Sequence, residues 1–260
     1  MFKNLTAEEA SERAALASFG IAVGRALLPG AGAGRSLAGI EPLELRQAIL
    51  ANRDSVDLLS LLSVCWAVGI PVVHLRVFPL ASKRMHAMVV TVGDRAAILL
   101  GRDARYPAVT AFSLAHEVAH VALGHVAEAD AIVDLGDPAT RENDDAQENE
   151  ADRFALTLLT GRPDPIIHPS TEQFSARSLA KAALEAAPDY AIEPGTLALC
   201  LGHQLSIWPI MMAALKYIYS ERHHVWRQVN EIAAKQLDWD EISGDSAIWL
   251  QSVMTGDIDG

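Results

Sequence analysis

The stretch Phe112-Ser113-Leu114-Ala115-His116-Glu117-Val118-Ala119-His120-Val121-Ala122-Leu123-Gly124 sets two imidazoles and a carboxylate in a His-Glu-x-x-His pattern. Its apolar spacing predicts a helix. Residues four apart share a helix face, with Cβ atoms about 5–6 Å apart. His116 and His120 can therefore send ring nitrogens to one cation. Zinc suits such a site: three protein groups hold it, and the pKa of its water falls from about 15.7 to about 7. Glu117 would stand beside the open position and take a proton from that water. A plainer reading is two helix-face histidines with a solvated Glu between them. The flanks weaken it, because Ala115, Val118, Ala119, Val121, Ala122 and Leu123 make the helix apolar nearly all round. A helix of that kind is buried, and buried imidazoles and carboxylates need partners.

A third ligand must come from elsewhere. His125 is close in sequence, but the extended motif that recruits a third His needs it six residues after the second, where Val126 stands. The better source is Gln147-Glu148-Asn149-Glu150-Ala151-Asp152-Arg153-Phe154-Ala155-Leu156-Thr157-Leu158-Leu159. On a helix, Glu148, Ala151, Asp152, Ala155 and Leu159 form one stripe. That stripe would bury two carboxylates unless they meet the site. Glu148 is therefore assigned as third ligand. Asp152, one turn on, is assigned an outer hydrogen bond that fixes the tautomer of a ligand His. Glu150 points more than about 90° away on a helix and is expected in solvent or beside Arg153; it stays as the alternative ligand to Glu148.

His-Glu-x-x-His followed by Glu148-Asn149-Glu150-Ala151-Asp152-Arg153-Phe154-Ala155 resembles the ImmA/IrrE family of zinc metallopeptidases, and more distantly the thermolysin-type gluzincins. The likeness runs from about Val56 to Gly161 and takes in Gly69-Ile70-Pro71-Val72, a predicted hairpin and Gly124-His125. It implies a small sheet packed on two metal-bearing helices, Zn2+ as cofactor, and intracellular cleavage of a regulatory protein, commonly a helix-turn-helix repressor. Some relatives carry a DNA-binding helix-turn-helix at the N-terminus. Residues 1–55 show none, being rich in Glu, Ala and Gly rather than in a basic recognition helix.

The elements that must position these groups follow from periodicity and punctuation. Helices are predicted over Thr6–Leu28, Pro42–Asn52 and Ser55–Val68, the last stopped by Gly69. Pro29-Gly30-Ala31-Gly32-Ala33-Gly34-Arg35 lacks both the dinucleotide and the P-loop spacing and is expected to be a flexible connection. Strand-like runs cover Ile70–Val77, His86–Val92 and Ala96–Leu100, with Gly93-Asp94 as a hairpin turn. The metal-bearing helix begins at Tyr106-Pro107 and runs to Gly124. Ala127–Glu142 is expected to be an acidic loop. Helices resume at Asp145–Leu159, Thr171–Ala187, Pro194–Ser206, Pro209–Ser220, Glu221–Gln236 and Ser246–Met254. The expected fold is α+β, mainly helical, with a small, mostly antiparallel sheet. Three parts are expected: an N-terminal helical segment (1–55), a zincin-like core (56–165) and a C-terminal helical part (166–260) packed with the core.

Composition bounds the function. The chain has 260 residues, half of them hydrophobic and 21% charged, which is globular composition. A net charge of −12 disfavours direct binding to nucleic acid. Cys65 and Cys200 lack CxxC partners and are expected to be reduced core thiols. The N-terminus has no apolar signal-like run, and the uncharged stretches Leu58–Val73 and Pro194–Leu215 are too short or too interrupted to read as membrane spans. A cytoplasmic protein without a membrane anchor is expected. His74 and His86 are candidates to line a substrate edge; His203, His223 and Tyr190 are candidates for oxyanion stabilisation. The function expected is a zinc-dependent endopeptidase, and the alternative is a zincin-like module that sequesters a regulatory partner without cutting it.

Overall fold

The computed structural model describes residues 7–79, 85–128, 131–134, 145–169, 175–219 and 224–256. Ten α-helices and four strands lie among them. Helix α1 spans Ala7–Leu27, α2 Pro42–Leu50 and α3 Leu58–Ala67; then come β1 (Val72–His74), β2 (Ala87–Val92) and β3 (Arg95–Leu100). Helix α4 spans Pro107–Ala122, β4 Ala131–Asp134 and α5 Ala146–Thr160. The C-terminal helices are α6 (Ala176–Tyr190), α7 (Pro194–Gln204), α8 (Trp208–Ile218), α9 (Val225–Gln236) and α10 (Gly244–Thr255).

The sheet order is β1-β3-β2-β4. β2 pairs antiparallel with both β3 and β4, while β1 runs parallel to β3. The hairpin turns at Gly93 as its sequence predicts, with φ +66°. Successive side chains point to opposite faces of a strand, and here both faces are covered. Val72, Ala87, Val89, Ile98 and Leu100 join a core with α3, α4 and α5. Val73, Met88, Val90, Ala97 and Leu99 join a second core with α1 and α10. That is why the strands read as continuous apolar runs instead of alternating ones. A third cluster, built by α6, α7 and α8, includes Tyr106 at the start of α4.

Three local expectations change. The first strand is only Val72–His74: after Leu75, whose N–H donates to Leu100 O at 2.7 Å, the backbone turns to α10, with Arg76 N donating to Val253 O at 2.8 Å. β4 lies inside the predicted acidic loop. With only Ile132 and Val133 as bulky apolar residues between acids, it carries too short a signal to be read as a strand. The connection after Pro29 is pinned: Arg95 donates to the carbonyls of Leu28, Ala31 and Gly32 at 2.7–2.8 Å, and Arg35 N donates to Val68 O at 2.9 Å. Gly69 makes this approach possible, since its backbone has φ +74° and a Cβ there would collide with the backbone of Gly34.

Both cysteines are free thiols, Cys65 fully buried. Among the described residues no helix is long and apolar enough to cross a membrane. The predicted cap at Thr6, most of the acidic stretch 127–142, the residues at 171–174 and His223 lie outside the described residues.

Candidate metal centre

Helix α4 starts at Pro107, whose ring fixes φ and whose missing N–H costs nothing in a first turn. Leu114, Ala115, Val118 and Ala119 bury one side of it in the core shared with the sheet, α3 and α5. Helix α5 is set by Asp145, whose carboxylate accepts from Gln147 N at 3.0 Å, and ends at Gly161 with φ +84°. Ala151 and Ala155 of α5 are fully buried in the same core as Ala115 and Ala119 of α4. Small residues on both helices let their axes approach, which brings the first turn of α5 to the histidines.

His116, Glu117 and His120 are each 1% exposed. His116 Nε2 lies 3.0 Å from His120 Nε2 and 3.3 Å from Glu148 Oε2, and His120 Nε2 lies 3.8 Å from Glu148 Oε1. One donor atom from each of these three residues falls within 4.8 Å of the other two. Zinc–ligand bonds of about 2.0–2.1 Å in a tetrahedron separate donor atoms by about 3.3–3.4 Å. The observed separations bracket that value, and a nitrogen, nitrogen, oxygen donor set suits zinc. Asp152, one turn beyond Glu148, places Oδ1 2.8 Å from His116 Nδ1.

The charges point the same way. Burial by itself lowers the pKa of His116, but hydrogen bonds to Asp152 and Glu148 and the nearby charge of Glu117 outweigh it and hold the ring up at about 10. Three carboxylates around two imidazoles make a pocket that favours a positive charge.

Glu150 is exposed, as expected, yet its partner is His125 rather than Arg153, with Oε2 3.3 Å from His125 Nε2. The other nitrogen of His125 lies 3.0 Å from His120 Nδ1, on the ring edge away from Glu148. Neither residue belongs to the converging group. Sequence reasoning missed this pair because His125 is five residues from His120, off the helical face, and meets it only after the chain has turned at Gly124.

The other histidines lie as follows. His74 is buried, with its ring nitrogens 3.0 and 3.1 Å from the carbonyl oxygens of Leu75 and Arg102, so it belongs to the interior and not to a substrate edge. His86 stands beside Arg102, 3.4 Å from its guanidinium. His203 packs against Trp208, and Tyr190 is 64% exposed at the end of α6.

No curated protein and no solved structure matches the chain. A family model does: residues 105–184, which take in α4, α5 and part of α6, match the family described as Peptidase U49. The stretch that carries the converging His116, His120 and Glu148 is thus similar to a peptidase family, which supports a proteolytic activity for this chain.

Proposed function

We propose that the chain is a zinc-dependent endopeptidase in which His116, His120 and Glu148 hold the metal, Glu117 is general base and then general acid, and Asp152 orients His116. The observation that carries this reading is the convergence of two buried ring nitrogens of α4 and a half-buried carboxylate of α5 in acid-rich surroundings. The match of that stretch to a peptidase family supports it, as does the resemblance of the same residues to ImmA/IrrE metallopeptidases. Zinc bound there would polarise the scissile carbonyl and supply a water acidic enough to attack near neutral pH.

The chain's own groups do the rest. Asp152 accepts the Nδ1 hydrogen of His116, so the proton that a bound cation would displace from this ring is the one on Nε2, whose lone pair would then face the metal. Glu117 takes the proton of the attacking water and returns it to the leaving amine. The substrate is a protein, and its proposed class is an intracellular regulator such as a helix-turn-helix repressor, met in the cytoplasm. An extended substrate segment would add to the sheet along β4. The opposite edge is closed, because Asn230 of α9 accepts from His74 N at 2.7 Å and donates to His74 O at 2.8 Å.

Metal content tests the site. One zinc per purified chain, lost in both His116→Ala and Glu148→Ala, is the expected result; zinc retained in both variants would refute it. Cleavage is tested by sequencing new protein N-termini in a cell lysate incubated with the zinc-loaded chain. Fragments that vanish with a chelator support an endopeptidase. A stable complex whose partner chains stay intact would make the protein a sequestering module instead.

A further inference from the structure

We propose that His125 and Glu150 are positioning residues of the metal centre, forming a relay that fixes the tautomer of His120 as Asp152 fixes that of His116. The inference rests on the proposed metal site. His125 Nδ1 lies 3.0 Å from His120 Nδ1, and His125 Nε2 lies 3.3 Å from Glu150 Oε2. Two ring nitrogens at that distance need one donor and one acceptor. An ionised carboxylate only accepts, so a neutral His125 ring carries its hydrogen on Nε2 and presents a bare Nδ1. His120 must then donate from Nδ1, and its Nε2 is left unprotonated. That is the nitrogen facing His116 and Glu148, at 3.0 and 3.8 Å. The hydrogen bonds run one way, from His120 to His125 to Glu150, and leave at their head a lone pair on His120 Nε2 that would face the cation.

Local geometry builds this relay. Helix α4 ends at Ala122, and Gly124 takes φ +76°, a conformation that side chains resist. The chain reverses there into the single turn His125–Glu128. The His125 ring comes back against His120, with centroids 5.1 Å apart and planes at 64°. His125 is 8% exposed, so water cannot readily replace it as the acceptor. The Glu150 side chain is 62% exposed. Its charge is screened, and its part is to select the His125 tautomer rather than to add a large attraction.

Both ligand rings are therefore held by a carboxylate, one directly and one through a second imidazole. Outer partners of this kind typically change metal affinity by about 10–100-fold when removed. The test is zinc affinity of the full chain, measured by competition with a chromophoric chelator, together with the visible spectrum of the Co2+-loaded chain. His125→Leu is expected to weaken zinc binding about 10–100-fold and to alter the Co2+ spectrum. His125→Asn, whose amide oxygen can accept near the place of Nδ1, is expected to recover most of the loss. Two-bond 1H–15N spectra of the unaltered zinc-loaded chain should show His125 as the Nε2–H tautomer and His120 as the Nδ1–H tautomer, a readout that stands even if His125→Leu does not fold. Equal zinc affinity in the unaltered chain and His125→Leu, or a hydrogen on His125 Nδ1, overturns the relay and leaves the metal site intact. An unaltered chain that takes up no zinc overturns both.

Discussion

His116 Nδ1 stands 2.8 Å from Asp152 Oδ1, although thirty-six residues separate the two. Asp152 lies one helical turn beyond Glu148, whose Oε2 is 3.3 Å from the other nitrogen of the same ring. One face of α5 therefore reaches both ring nitrogens of one imidazole on α4.

Asp152→Ala removes the acceptor that sets the His116 tautomer. The expected outcome is zinc affinity about 10–100-fold weaker, with one zinc still bound at saturation. Asp152→Asn keeps an oxygen acceptor and should lose less. Chelator competition on both variants checks the order; equal affinity in Asp152→Ala and the unaltered chain would show that the contact does not tune the site.

Glu117 shares the burial of the two histidines but is absent from the converging donors. Glu117→Gln should keep one zinc per chain and cut about 10²–10⁴-fold more slowly. Metal analysis and the rate of chelator-sensitive fragment release measure the two effects separately. Loss of zinc from this variant would make Glu117 a ligand.

Arg46 of α2 is 5% exposed and donates to Leu158 O and Leu159 O at 3.1 and 2.8 Å, and to Ala191 O at 2.6 Å. It thereby ties the end of α5, the helix that carries Glu148, to the end of α6. Arg46→Met would leave these carbonyls without their charged donor and should cost about 2–3 kcal/mol. For a chain of this size that is a fall of about 5–10 °C in Tm, read by calorimetry. An unchanged Tm would mean that water replaces the guanidinium.

Burial pushes the Cys65 thiol up from 9.0 to about 12. The folded chain holds this proton more tightly than the unfolded chain does. Its contribution to stability is therefore full below about pH 9 and is lost as pH rises toward 12. Cys65 should resist iodoacetamide in the folded protein at pH 8 and react once the chain is unfolded in urea. Mass spectrometry of the labelled peptide decides the matter, and rapid labelling of the folded protein would contradict the burial.

What could be read from the sequence was local. The apolar flanks of His116 and His120 announced a buried helix, and the stripe of Glu148, Ala151, Asp152 and Ala155 announced a second, because both patterns repeat within four residues along the chain. Gly69 and the Gly93 hairpin were legible for the same reason: a positive φ is a property of one residue. The mainly helical α+β class also followed, since most elements carry their own period and their own caps.

Tertiary structure decided everything that depends on distance through space. Whether Glu148 or Glu150 faces the histidines was a question of helix rotation, and only the packing of Ala151 and Ala155 into the core shared with α4 settles it. β4 becomes a strand because β2 offers it a row of unpaired backbone groups, not because of its own composition. The glycine-rich connection is held by Arg95, 63 to 67 residues further along the chain, and His125 finds its proposed role only once the chain has turned back on His120. Periodicity reports which face of an element is buried. Only the folded chain brings together groups that are far apart in sequence.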